Sequence, residues 1–199
     1  VKKGQTVAIS VCDITRPMPS SKVLPIILEE IGHLSKETIV ILVATGTHRN
    51  NTREELEAML GPEIVKDYTV IVHNGFANEA LRYCGQTTSG IPIWLNKIWI
   101  DSDFRITTGF VEPHFFAGFS GGPKMVAPGL AGVKTIMQLH SAPLIAHANS
   151  IDKGQNLERN ILAKFPNITS NYLLELGGGL GAHAGPGAVV IGLQQINSE

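Results

Sequence analysis

Hydrophobic and polar positions alternate along the chain in two rhythms. QTVAISVC (5–12) and TIVILVAT (38–45) are continuous apolar, β-branched runs, the pattern of strands covered on both faces. Between them SSKVLPIILEEIGHL (20–34) carries apolar residues at helical spacing, with serines available as N-cap and Pro25 near the first turn. NTREELEAMLG (51–61) predicts a second helix, opened by a capping box of Thr52 and Glu55. TVIVHN (69–74), IPIWLNKIWID (91–101) and FRITTGF (104–110) predict strands, with Gly and Pro between them marking turns. GVKTIMQLHSAPLIAHA (132–148) reads as helix with a break at Pro143, and NLERNILAKF (156–165) as a helix ending before Pro166. YLLELGGGLGAHAGPGAVVIGL (172–193) reads as two apolar strands around a glycine loop. The alternation predicts an α/β fold: a mainly parallel sheet with flanking helices, in a single layered domain with a C-terminal two-strand glycine-rich tail.

Composition narrows the function classes. A chain of 199 residues, 43% hydrophobic, can bury a core of its own and is sized for one domain or one domain with an appendage. Sixteen basic against seventeen acidic residues give a net charge of −1 with no block of like charge. Nothing there forms an electrostatic footprint for nucleic acid or an anionic membrane, and a small-molecule partner is favoured. Cys12 and Cys84 stand in no CxxC or Cys/His spacing, and Cys12 alternates with apolar residues of the first strand, which fits core packing. No apolar run reaches the roughly 18 residues of a membrane span, and no signal peptide is visible, so a reducing cytoplasm is expected. The chain opens directly on VKKGQTVAIS, a strand entry, which suggests that it is trimmed from something longer.

The candidate chemistry clusters at predicted strand ends, where open α/β sheets bind ligands. DITRP (13–17) places Asp13 and Arg16 around a tight turn, and a planar guanidinium there could fork onto a carboxylate or phosphate. GTHRN (46–50) sets His48 just past a buried strand, a place suited to proton transfer near neutral pH. GFVEPHFFAGFSGGPKMVAPGLAG (109–132) holds six glycines, three prolines, His114 and Lys124 in an otherwise apolar run. Gly118, Gly121 and Gly122 would let the main chain approach a ligand and offer N–H groups to an anion. The stretch is no Walker A loop, because the GxxxxGK[ST] spacing is missing and Met125 stands where the hydroxyl should be. Spacing alone leaves Lys124 open as a phosphate clamp, a covalent anchor or a solvated charge. His33, His73, His147 and His183 have no reactive neighbour in sequence and read as structural or solvated. A zinc hydrolase is disfavoured, since there is no HExxH or close histidine pair.

DITRP, ATGTHR, TTGFVEPHFFAGFSGGPKMVAPGLAG and the later LHS, four ordered motifs, together resemble the N-terminal domain of the nickel-pincer lactate racemase family of 2-hydroxy-acid racemases and epimerases. The resemblance implies a nicotinate-derived nickel-pincer nucleotide joined covalently to Lys124, with His140 of LHS as the nickel ligand. It further implies His48 and His114 as the two acid/base groups, Arg16 as the residue orienting the substrate carboxylate, and Asp13, Gly121 and Gly122 as cofactor supports. The implied mechanism is proton-coupled hydride transfer through a transient 2-keto acid that is reduced on either face. Two bases on opposite sides of a planar intermediate suit such a racemisation.

The chain also departs from that family. Its members have a second domain that adds substrate contacts across the cleft, and that missing C-terminal racemase domain is an implied partner. The similarity fades after NLERN, and LGAHAGPGAVVIG within the last 33 or so residues resembles the C-terminal end of DegV-type fatty-acid-binding proteins. The expected organisation is therefore a racemase-like domain over 1–160 and a DegV-like segment over 161–199 that completes the sheet, as a fusion or chimera. A non-catalytic nucleotide- or acyl-ligand-binding scaffold is the alternative function.

Overall fold

The computed structural model describes residues 1–114 and 118–141. Its centre is a parallel sheet whose strands follow from the apolar runs: β1 (Val7–Cys12), β2 (Ile39–Ala44), β3 (Thr69–Val72) and, further along, β6 (Phe104–Thr107). The order is β3-β2-β1-β6, so the chain steps outward from β1 to one edge and then crosses to its other side. Such a reversal leaves a crevice beyond the carboxyl ends of the two strands that flank it. Here those strands are β1 and β6, paired in parallel from Val7↔Phe104 to Ser10↔Thr107.

Every residue of β1 is buried, because the strand is central and covered on both faces. Successive side chains point to opposite faces, which divides the core in two. Val7, Ile9 and Val11 join Ile39, Ile41 and Val43 against Leu24 and Leu28 of the first helix, Ile31 at its C-terminal cap, and Leu60 and Ile64 of the next two helices. Ala8 and Leu42 look the other way, onto Trp99 and Leu130.

The helices on the first face are α1 (Ser20–Glu30), α2 (Arg53–Leu60) and α3 (Pro62–Asp67). α2 starts on the expected capping box: the Thr52 side chain accepts from the Glu55 N–H while the Glu55 carboxylate accepts from the Thr52 N–H. α1 differs from expectation, since no serine caps it. Pro19 holds the N-cap position, Ser20 is buried in the first turn, and Pro25 lies inside the helix.

An antiparallel hairpin of β4 (Leu81–Gln86) and β5 (Pro92–Asn96) flanks the sheet's second face. The sequence pattern missed β4, whose residues are mostly exposed and carry no apolar alternation. It also read residues 91–101 as one strand, whereas β5 stops at Asn96 and α4 (Lys97–Asp101) follows. The cause is the Asn96 side chain, whose Oδ1 accepts from the N–H groups of Ile98 and Trp99 and so starts a helix inside an apolar run. Arg105 closes the other end by donating to the carbonyls of Trp99 and Ile100.

After β6 the chain forms a 3₁₀ turn, Gly122–Met125, and then α5 (Val133–Leu139). Between them Leu130 and Gly132 hydrogen-bond to β5, the Leu130 carbonyl accepting from Asn96 and the Gly132 N–H donating to Trp94. These elements belong to a unit formed by Val1–Val111 and Ser120–His140. A second unit includes Glu112–Phe119, and there β7 (Pro113–His114) pairs antiparallel with β8 (Gly118–Phe119). The predicted helix over 156–165, the part of 132–148 past Ser141, the glycine-rich tail and the DegV-like segment all lie outside the described residues.

Candidate functional site

Asp13 follows the last residue of β1 and is buried, with 4% of its surface exposed. Its Oδ1 accepts from the Thr15 N–H at 3.1 Å and from the Thr15 hydroxyl at 2.5 Å, while the Arg16 N–H closes a turn onto the Asp13 carbonyl at 3.3 Å. The second Asp13 oxygen, Oδ2, lies 2.6 Å from Nδ1 of His48. His48 arrives there because β2 ends beside β1 in register, Cys12 opposite Ala44, and the chain then turns with the His48 N–H on the Thr45 carbonyl. A carboxylate only accepts, so Nδ1 carries the proton and Nε2 of the neutral ring is left as a base. The His48 side chain is 55% exposed and its partner only 5%, an arrangement that anchors one ring nitrogen and leaves the other edge accessible.

The next residue, Arg49, turns away from this pair. Its guanidinium forks onto Glu55, Nη1 to Oε2 at 2.9 Å and Nη2 to Oε1 at 2.6 Å. Glu55 also accepts from the Thr52 N–H and the Asn51 amide. The Arg49 fork, followed by the Thr52 N–H, holds the Glu55 carboxyl down at about 2, far below the usual carboxylate range. Sequence reading found the capping box but not this use of it; the adjacent signal was an arginine directly after His48 and six residues before Glu55.

Residues 120–132 of the glycine-rich stretch close over the same end of the sheet. Lys124 sits half-buried in the 3₁₀ turn, its N–H on the Gly121 carbonyl and its own carbonyl accepting from Gly129 at 3.0 Å. The Gly129 carbonyl accepts in turn from Gly46, two residues before His48, at 2.9 Å. Met125 packs at the end of β1, its sulfur 3.7 Å from the Cys12 thiol and its carbonyl accepting from Ser10 at 3.3 Å. Backbone therefore ties the lysine turn to the strands that carry Asp13 and His48. Gly121 has φ of +68°, and a Cβ there would meet Val111 at 2.9 Å. Gly122 has φ of +48°, with open space where a Cβ would stand.

Two other histidines behave differently. His140 caps α5, is exposed, and its Nδ1 lies 2.8 Å from the Ile136 carbonyl, which assigns the proton to Nδ1 and leaves Nε2 free of it. His114 ends β7 in the second unit, paired with Gly118. The structure thus brings Asp13, His48, the Arg16 backbone and the Lys124 turn to the carboxyl ends of β1 and β2, while His140 lies at the end of α5.

His73 is structural, as its sequence context suggests. It is 1% exposed, with Nε2 donating to the Ala131 carbonyl at 2.9 Å and Nδ1 accepting from Asn96 at 3.2 Å. Burial lowers its pKa from the ordinary value of 6.5, against a smaller opposing effect of the Ala131 hydrogen bond. Among the described residues no group of three or more His, Cys, Asp or Glu side chains is placed to hold a metal ion, and no helix is long and apolar enough to cross a membrane.

An open parallel sheet with a buried carboxylate and a histidine joined at its strand ends defines the class: an α/β domain with its chemistry at the strand carboxyl ends. Residues 1–152 match the family described as the lactate racemase N-terminal domain, and the chain belongs to that family. The lactate racemase of Thermoanaerobacterium thermosaccharolyticum is 39% identical over 142 residues, 71% of this chain and 33% of that protein. The lactate racemase of Lactiplantibacillus plantarum is 43% identical over 134 residues, 67% of this chain and 32% of that protein. The chain therefore spans about a third of the length of these curated relatives. The structure of the T. thermosaccharolyticum lactate racemase apoprotein superposes with a TM-score of 0.67 at 38% identity, over 71% of this chain and 34% of that one. A Thermotoga maritima protein superposes with a TM-score of 0.60 at 28% identity, covering 85% of this chain and 45% of the other.

Proposed function

We propose that this chain is the cofactor-carrying part of an enzyme that racemises or epimerises a lactate-like 2-hydroxy acid, completed by a further domain that adds substrate contacts. The observation that carries the reading is the hydrogen bond from His48 to buried Asp13, at 2.6 Å, on a chain of the lactate racemase N-terminal domain family. It fixes His48 in the tautomer a general base needs. Nε2 can then take the substrate hydroxyl proton and later return it.

Arg16, on the turn beside Asp13, would bind the substrate carboxylate, and His114 would serve as acid/base for the opposite face of the planar keto acid. Lys124 would hold a nicotinate-derived nickel-pincer nucleotide covalently, with Gly121 and Gly122 shaping the main chain around it. Such a group brings sulfur and carbon donors of its own and needs one imidazole from the protein. His140 would meet that need through Nε2, since its Nδ1 donates to the Ile136 carbonyl. When bound, the group supplies the hydride acceptor and donor for the substrate Cα.

The test is denaturing intact-mass measurement of the protein produced together with the enzymes that synthesise the cofactor. A mass adduct that maps to Lys124, is lost in Lys124→Ala and is accompanied by nickel supports the reading. Unmodified protein under conditions that load a full-length lactate racemase overturns it.

A further inference from the structure

The bond that orients His48 depends on a group that is itself soft. Rotation of an aspartate carboxylate about its Cβ–Cγ bond has only a broad preference, so the Asp13 side chain does not by itself decide where its oxygens point. Thr15, two residues on, makes that decision. It sends two donors to one oxygen, its N–H to Oδ1 at 3.1 Å and its hydroxyl to Oδ1 at 2.5 Å. A hydroxyl this close to an ionised carboxylate makes a charge-assisted bond, stronger than one between neutral groups. The carboxylate plane is then held at both ends, by Thr15 on Oδ1 and by Nδ1 of His48 on Oδ2 at 2.6 Å.

Thr15 is exposed, so its side chain adds little to the core, and its hydroxyl could be satisfied by water. It bonds to a buried carboxylate instead. The turn that carries it is closed separately, by the Arg16 N–H on the Asp13 carbonyl, so turn and carboxylate can be perturbed apart. We propose that Thr15 is a positioning residue: its hydroxyl sets the plane of the Asp13 carboxylate, aims Oδ2 at Nδ1 of His48, and so keeps Nε2 of that ring free of a proton. The consequence for proton transfer rests on the reading of His48 as an acid/base group. The His48 tautomer does not, and it is read without cofactor or further domain, so the two can fail apart.

The experiment is NMR of nitrogen-labelled histidine rings in this chain, above the pH at which imidazole titrates, with the His48 signals assigned by their absence from His48→Asn. In a fixed Nδ1–H tautomer the two ring nitrogens resonate far apart, and in a freely exchanging ring they converge. Thr15→Val keeps the β-branched shape and the N–H donor and lacks only the hydroxyl, and its methyl group stands where a replacing water would have to sit. Thr15→Ser keeps the hydroxyl.

The expected result is that the His48 ring-nitrogen separation survives in Thr15→Ser and is lost in Thr15→Val. The buried amides of Ile9 and Ile41 and the Arg16 amide should keep their positions in both variants. An unchanged separation in Thr15→Val overturns the proposal, because the N–H alone would then suffice. Loss of it in Thr15→Ser as well overturns it too, since the hydroxyl is present there. So does a loss in Thr15→Val that comes with a displaced Arg16 amide, which would make Thr15 a support of the turn and not of the carboxylate.

Discussion

At the scale of single residues, His73 shows how burial decides the role of a titratable group. Its ring is neutral in the fold, one nitrogen donating to Ala131 and the other accepting from Asn96. Because the folded pKa lies below the unfolded value of 6.5, the unfolded chain binds more protons between those two values. Its contribution to stability is thus complete above pH 6.5 and is lost as the pH falls through the window beneath it. Urea denaturation across pH 5 to 8 should show midpoints falling on the acid side, with that component absent in His73→Ala. The same variant leaves the Ala131 carbonyl and the Asn96 amide unpaired in the core and should cost about 2–4 kcal/mol at neutral pH. His48 lies at the opposite limit, half-exposed and tied by one nitrogen to a buried acid. Both histidines stand just past an apolar run, and the local sequence marks only the polar turn around His48 as a place for chemistry. What distinguishes them is the neighbour each meets from elsewhere in the chain.

Local chemistry governs the elements more completely. The β1 and β2 runs and the α2 capping box follow from patterns spanning a few residues, and they form where those patterns place them. The misreadings also have local causes. A side-chain oxygen at Asn96 captures the N–H groups of Ile98 and Trp99 and converts an apparent strand into strand plus helix. β4 carries too little apolar signal to be seen, since it is defined by its pairing with β5 and by Leu81 alone among its residues being buried. Pro25 is a further case. It lacks the N–H that would bond one turn back, and it lies inside α1 on an exposed position. Pro25→Ala should therefore stabilise the protein, by about 2 kcal/mol after allowance for the greater freedom of the unfolded chain. An unchanged or lowered denaturation midpoint would show that the ring makes a contribution of its own to α1.

For the first unit as a whole, the decisive feature is how residues 120–132 are laid against the sheet. Gly129 passes so close to β2 that a Cβ would stand 2.6 Å from the Met125 carbonyl and 2.8 Å from Ala44. Both neighbours are held, one by the lysine turn and one by the strand, so neither can yield. Gly129→Ala should destabilise the fold by about 3 kcal/mol and should also displace the Lys124 turn, reducing any adduct on Lys124 beyond what the stability loss explains. Proteolysis and intact mass measured on the same preparation separate the two effects. The sequence pointed to pliable backbone around a ligand. In the fold, part of that pliability serves the packing of main chain on main chain, which holds Lys124 near the strand ends.

By itself the sequence determined the α/β class, the order of most elements, the family and the residues worth suspecting, because each depends on short-range pattern or on motifs that stand as continuous strings. Only the tertiary structure decided which of those residues meet. Asp13 and His48 are 35 positions apart, and they touch because parallel pairing sets Val7 opposite Ile39 and carries that register to the strand ends. No local preference encodes this offset. It comes from burying both faces of β1 at once, and a one-residue slip would turn every buried side chain of a strand to the wrong layer.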